Sequence, residues 1–92
     1  MIKHNTYFEG NVQSLGLETE KGYATVGVMK KGTYLFGTSS KEEIKVISGL
    51  FSTRLPEADW VKHNVDEVVY IPADIKFDVL CESDVAYICY YG

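Results

Sequence analysis

The alternation of apolar and polar positions along this chain is that of short strands, with almost nothing at helical spacing. Residues 23–29 are rich in β-branched and aromatic side chains and run into a turn at Lys30, Lys31 and Gly32. Residues 33–38 follow and end at Ser39, Ser40 and Lys41. Residues 44–48 and 50–55 are separated by Gly49, and the second run stops at Pro56. Residues 68–71 stop at Pro72, whose missing N–H prevents a central ladder from continuing. Residues 75–79 and 85–91 complete the set. Strands of about five or six residues with turn residues every 8–12 positions predict an all-β sandwich or barrel. One helical stretch competes, residues 39–45, where Ser39 or Ser40 would cap a single turn ahead of Glu42 and Glu43.

Side-chain direction follows from the period of two. In residues 75–79 Ile75, Phe77 and Val79 are apolar while Lys76 and Asp78 are charged, so Phe77 faces inward. In residues 33–38 Tyr34, Phe36 and Thr38 share one face, and Leu35 and Gly37 share the other. Periodicity leaves open which of those two faces is inside.

Composition narrows the function classes. Ninety-two residues make one domain, residues 1–92, and 46% hydrophobic with 24% charged residues is a globular balance with no disordered tract. A net charge of −4 and a single arginine, Arg54, argue against a nucleic-acid partner, because phosphate-backbone binding needs clustered cations. The N-terminus lacks the apolar stretch of a signal peptide, and no apolar run approaches the ~20 residues of a membrane span. A cytoplasmic protein with no membrane partner is expected. Cys81 and Cys89 are too few for a disulfide framework or a four-ligand zinc site, and each reads as a small buried apolar residue. His63 is expected at an exposed strand edge and His4 in a frayed terminus, with Lys30, Lys31 and Lys76 as solvated charges.

Glu42 followed by Gly49 seven positions later resembles the end of the first cupin motif, and Pro72 leading into Ile75, Lys76 and Phe77 resembles the second. Metal-binding cupins carry histidines and a glutamate at these strand pairs. The resemblance puts Phe36 and Thr38 on the histidine positions of the first motif and Phe77 on that of the second, leaving only Glu42. One carboxylate without those imidazoles does not hold a transition metal, so it implies a jelly-roll cupin barrel with no metal and no cofactor. It also turns Tyr34, Phe36 and Thr38 into the barrel.

The resemblance then becomes closer. Residues 25–29, 32–36, 46–49 and 54–56, with the opening 5–10 and the closing 87–91, are similar to the pyrimidine/purine nucleoside phosphorylases, a family of small bacterial cupins. The similarity covers essentially the whole chain in order. Two positions depart from it: Tyr90 stands where the family has an arginine, and Asp66 where it has a glycine.

Such membership implies phosphorolysis: a nucleoside and inorganic phosphate give a free base and a pentose 1-phosphate, with purines and pyrimidines accepted alike. That chemistry needs donors for the phosphate, a proton for the leaving base, and a surface for the base itself. Stacking on aromatic faces tolerates any base, which assigns Tyr34, Phe36 and Phe77 to the base, unless they only fill the barrel. Arg54 is the phosphate candidate, since its guanidinium binds oxyanions in a bidentate way, unless it is simply an exposed strand arginine; Thr38, Ser48 and tyrosine hydroxyls are the neutral donors. Glu42 is the catalytic candidate, as general acid if burial raises its pKa or as a partner for ribose hydroxyls, unless it sits in an ion pair at the barrel rim. A homodimer is expected, because small cupins pair through exposed sheet edges and a barrel of this size has a limited core of its own. A non-catalytic small-molecule binder and a metal-dependent cupin enzyme stay open beside this reading.

Overall fold

The computed structural model describes residues 1–92. Its strands are β1 (His4–Tyr7), β2 (Val12–Thr19), β3 (Gly22–Met29), β4 (Gly32–Gly37), β5 (Glu42–Ser48), β6 (Phe51–Arg54), β7 (Val61–His63), β8 (Val68–Ile71), β9 (Lys76–Cys81) and β10 (Val85–Tyr91). A 3₁₀ turn, Phe8–Gly10, joins β1 to β2. Six strands form one sheet in the order β1-β2-β3-β10-β5-β8, and four form the other in the order β4-β9-β6-β7. All pairings are antiparallel. The two ladders are not joined into one closed barrel; they face each other as a jelly-roll sandwich. No helix is long and apolar enough to cross a membrane.

The core lies between the sheets and draws on both. Val12, Met29, Ile44, Val46, Ile71, Val85 and Cys89 come from the large sheet, and Tyr34, Phe51, Phe77, Val79 and Cys81 from the small one. In β9 the alternation is complete: Phe77, Val79 and Cys81 are buried, while Lys76 is exposed. Burying each large apolar side chain of this kind stabilises the fold by roughly 1.5–3 kcal/mol. Gly49 makes the corner between β5 and β6 at φ +105°, and a Cβ there would collide with the Asp84 carbonyl oxygen. Only glycine suits that corner, on both counts.

Several expectations need correction. Residues 39–45 form no helical turn; Glu42 already begins β5, because Ile44 and Val46 must alternate inward between β10 and β8. Strand β2 escapes a hydrophobic reading because its inner face is Val12, Ser14 and Gly16, whereas its outer face carries the exposed Leu15 and Leu17. His4 belongs to β1, paired with β2, and its Nε2 lies 3.0 Å from Gln13 Oε1. His63 sits on an edge strand but faces inward: it is only 9% exposed, with Nε2 2.8 Å from Thr53 Oγ1 and its ring against Phe51.

Candidate functional site

Between the sheets the core opens into a cavity of about 480 Å³ with a largely apolar lining. One wall is aromatic. Phe36 of β4 and Phe77 of β9 are cross-strand partners whose rings stack at 6.0 Å and 27°. Phe8 meets Phe36 edge-on at 5.3 Å and Tyr34 at 5.0 Å. Phe8 reaches this position through an unusual backbone: Phe8 and Glu9 have φ of 51° and 57°, ahead of Gly10 at 89°. Left-handed non-glycine residues cost of order 1–3 kcal/mol each and persist where the surroundings hold them. Here the aromatic contacts of Phe8 do so.

The opposite wall is polar and comes from β10 and the start of β5. Tyr87, Cys89 and Tyr91 alternate inward along β10 and reach the cavity beside Glu42. Room for Tyr87 is made by its partner on β3, Gly27: a Cβ there would stand 2.5 Å from Tyr87 Oη. Tyr91 Oη lies 2.9 Å from Thr25 Oγ1. The Cys89 thiol donates to Glu42 Oε1 at 3.6 Å, a weak sulfur hydrogen bond.

Burial pushes the Glu42 carboxyl above the usual carboxylate range, with the Cys89 contact opposing it to a smaller degree. The same desolvation drives Tyr87, Cys89 and Tyr91 well above their ordinary values. No lysine, arginine or histidine lines the cavity. The site therefore favours neutral, protonated groups. It is an apolar chamber that ends at a carboxyl whose pKa burial raises.

Of the residues singled out from the sequence, the structure brings Glu42, Phe36 and Phe77 together on this cavity. Tyr34 is buried behind Phe36, its hydroxyl donating to the Lys30 carbonyl at 2.5 Å. Thr38 does not line the cavity: its hydroxyl donates to the Pro72 carbonyl at 2.7 Å and accepts from the Ile75 N–H at 3.2 Å. That ties the end of β4 to the turn before β9. Ser48 is exposed at the far end of β5. Arg54 lies on the outer face of the small sheet, where its Nε and Nη2 donate to Asp78 Oδ2 at 3.1 and 3.0 Å and its guanidinium covers Trp60. Sequence reasoning passed over Phe8, Tyr87, Cys89 and Tyr91. Residues 85–91 are apolar or aromatic on both faces, so their period of two does not say which face lines the cavity, and the Phe8 turn has no periodicity to reveal it.

Cupins commonly hold a divalent metal through several histidines and a carboxylate. The cavity offers one carboxyl and a thiol that burial keeps protonated, and no three His, Cys, Asp or Glu side chains gather anywhere in the chain. These residues do not fit a transition-metal site.

The two-sheet jelly roll with a cavity between the sheets defines a small cupin. A solved RmlC-like cupin from Shewanella frigidimarina superposes with a TM-score of 0.74 at 13% identity, covering 96% of this chain and 80% of that one. A protein of unknown function from Vibrio parahaemolyticus gives a TM-score of 0.91 at 34% identity, with 97% and 96% covered. At the level of sequence, the profile of the pyrimidine/purine nucleoside phosphorylases matches residues 2–91. A protein of that name from Pseudomonas entomophila is 44% identical over 92 residues, 99% of this chain and 98% of its own. The chain belongs to the pyrimidine/purine nucleoside phosphorylase family.

Proposed function

We propose that the protein is a pentosyltransferase, a nucleoside phosphorylase of broad base specificity that takes purine and pyrimidine nucleosides with inorganic phosphate. The name shared by the family and its relatives supports the reaction. The observation that carries the reading on the structural side is Glu42, a carboxyl raised in pKa by burial at the end of an aromatic chamber. The base stacks in that chamber on ring faces, which select for planarity rather than for a pattern of edge donors. As the bond from C1′ to the base nitrogen breaks, its electron pair stays with that nitrogen, and Glu42 supplies the proton. An oxygen of hydrogen phosphate forms the new bond to C1′, and the phosphate's own proton returns to the Glu42 carboxylate. Base and pentose 1-phosphate then leave with no net consumption of protein protons.

Incubation with uridine and with adenosine, each with and without phosphate, tests this reading. Phosphate-dependent release of uracil and adenine supports it. Release without phosphate would mean hydrolysis, and binding without release from any nucleoside would mean a non-catalytic binder.

We also read the chain as a cytoplasmic homodimer. The outer face of the large sheet exposes Leu15, Leu17, Val26 and Val28 on the paired strands β2 and β3, an apolar surface of the kind that a second copy covers. Sedimentation at twice the 10.4 kDa chain mass supports this, and a monomer overturns it.

A further inference from the structure

The aromatic cavity has no cation, yet a phosphate that attacks a sugar needs one. A second recess of about 440 Å³ adjoins it at the end of the large sheet and shares two residues with it, Glu42 and Tyr91. Its other walls include Lys21, Lys41, Tyr70 and Tyr90. Lys21 lies 2.5 Å from Glu43 and 4.3 Å from the centre of the Tyr90 ring, so it is held in place but partly neutralised. Lys41 makes no ion pair. It immediately precedes Glu42, and its carbonyl accepts the Gly92 N–H at 3.1 Å, which fixes the backbone from which its ammonium projects. Lys30 is paired with Asp84, and Arg54 is paired with Asp78 across the small sheet. Of the two lysines that line this recess, Lys41 is thus the free one.

We propose that this recess is the phosphate subsite, with the Lys41 ammonium as its principal anion donor and the Tyr70 and Tyr90 hydroxyls as neutral ones. The inference rests on the phosphorylase reading and gives it a spatial order. Base and phosphate occupy separate chambers, and Glu42 borders both. A carboxyl so placed can give its proton to the departing base on one side and recover one from the phosphate on the other. Glu43 also lines the recess, but its carboxylate is paired with Lys21, and burial raises the pKa of Glu42, so both lessen the negative charge that faces an anion there.

Two measurements on the full-length protein test the subsite. Inorganic phosphate alone is titrated while backbone amide shifts are followed; the amides of Lys41, Glu42 and Gly92 are expected to move. In steady-state assays Lys41→Ala is expected to raise the KM for phosphate about ten- to hundredfold, the loss typical of a charge-assisted hydrogen bond, while leaving nucleoside affinity unchanged. Lys41→Arg should retain most phosphate affinity, and removing the exposed Lys62 charge on β7 should not matter. Unmoved amides around Lys41, or a phosphate KM that responds to Arg54→Ala and not to Lys41→Ala, would overturn the proposal. The two readings fail separately. Phosphate bound at Lys41 without any base release keeps the anion site and sinks the reaction, whereas phosphate-dependent release that ignores Lys41 keeps the reaction and sinks the subsite.

Discussion

Replacing Gly27 with alanine should close part of the cavity through a residue that does not itself touch a ligand. A Cβ at Gly27 would lie 2.5 Å from Tyr87 Oη, 2.6 Å from Cζ and 2.8 Å from Cε1. Carbon contacts are comfortable at about 3.5–4.0 Å, so the ring must move by about 1 Å. Beneath the ring is the β3 backbone, and beyond it is the cavity that Tyr87 lines, so the ring yields into the cavity. Overpacking of this kind costs about 1–3 kcal/mol, and a domain of this size loses roughly 4–8 °C in Tm for each kcal/mol. Calorimetry should therefore show a clear drop in Tm, and nucleoside titration a weaker affinity. Tyr87→Ala removes the collision, so Gly27→Ala should cost almost nothing in that background. An equal penalty in both backgrounds would refute the reasoning, because the clash would then lie elsewhere.

Glu42→Gln should lower kcat by about 10²–10⁴-fold, the usual worth of a positioned general acid, with a smaller effect on nucleoside affinity. The same variant tests the sign of the pKa shift. A folded pKa raised by burial contributes stability that is present below the unfolded value of about 4.5 and lost as pH rises through the folded value. Glutamine mimics the protonated acid, so the variant should match the wild type near pH 4 and exceed its Tm at pH 8; equal Tm values at both would contradict the assignment. His63 works in the opposite direction. Burial lowers its pKa from 6.5, so its contribution is full above that value and is lost as pH falls through the folded value. Thermal melts from pH 8 to pH 4 should show an acid-side loss that His63→Gln reduces, and an unchanged profile would remove His63 from the account.

Strands whose burial follows a simple alternation were legible in the sequence, and β9 is the clearest case. Charged residues interleave with Phe77 and Val79, and that pattern has a single sensible orientation. Strand β2 was not legible, because its polar and glycine positions face the cavity and its leucines face out, the reverse of the usual rule. The polarity of β2 serves the site rather than the core, with Ser14 on the cavity lining and bonded to Asn5. Arg54 illustrates a different limit. Guanidinium chemistry suits phosphate equally well on either face of a strand, and only the position of Asp78 on the neighbouring β9 shows where this one is engaged. Likewise the two-chamber arrangement at Glu42 depends on how the ends of β5 and β10 meet the turn at Lys21. No local pattern encodes that meeting.

The most direct test of the account is a crystal structure with an unreactive nucleoside analogue and phosphate bound together. The base is predicted against the Phe36 and Phe77 rings, with the sugar beside Glu42 and the anion at Lys41. An analogue held outside the space between the sheets, or a base and phosphate on the same side of Glu42, would contradict it.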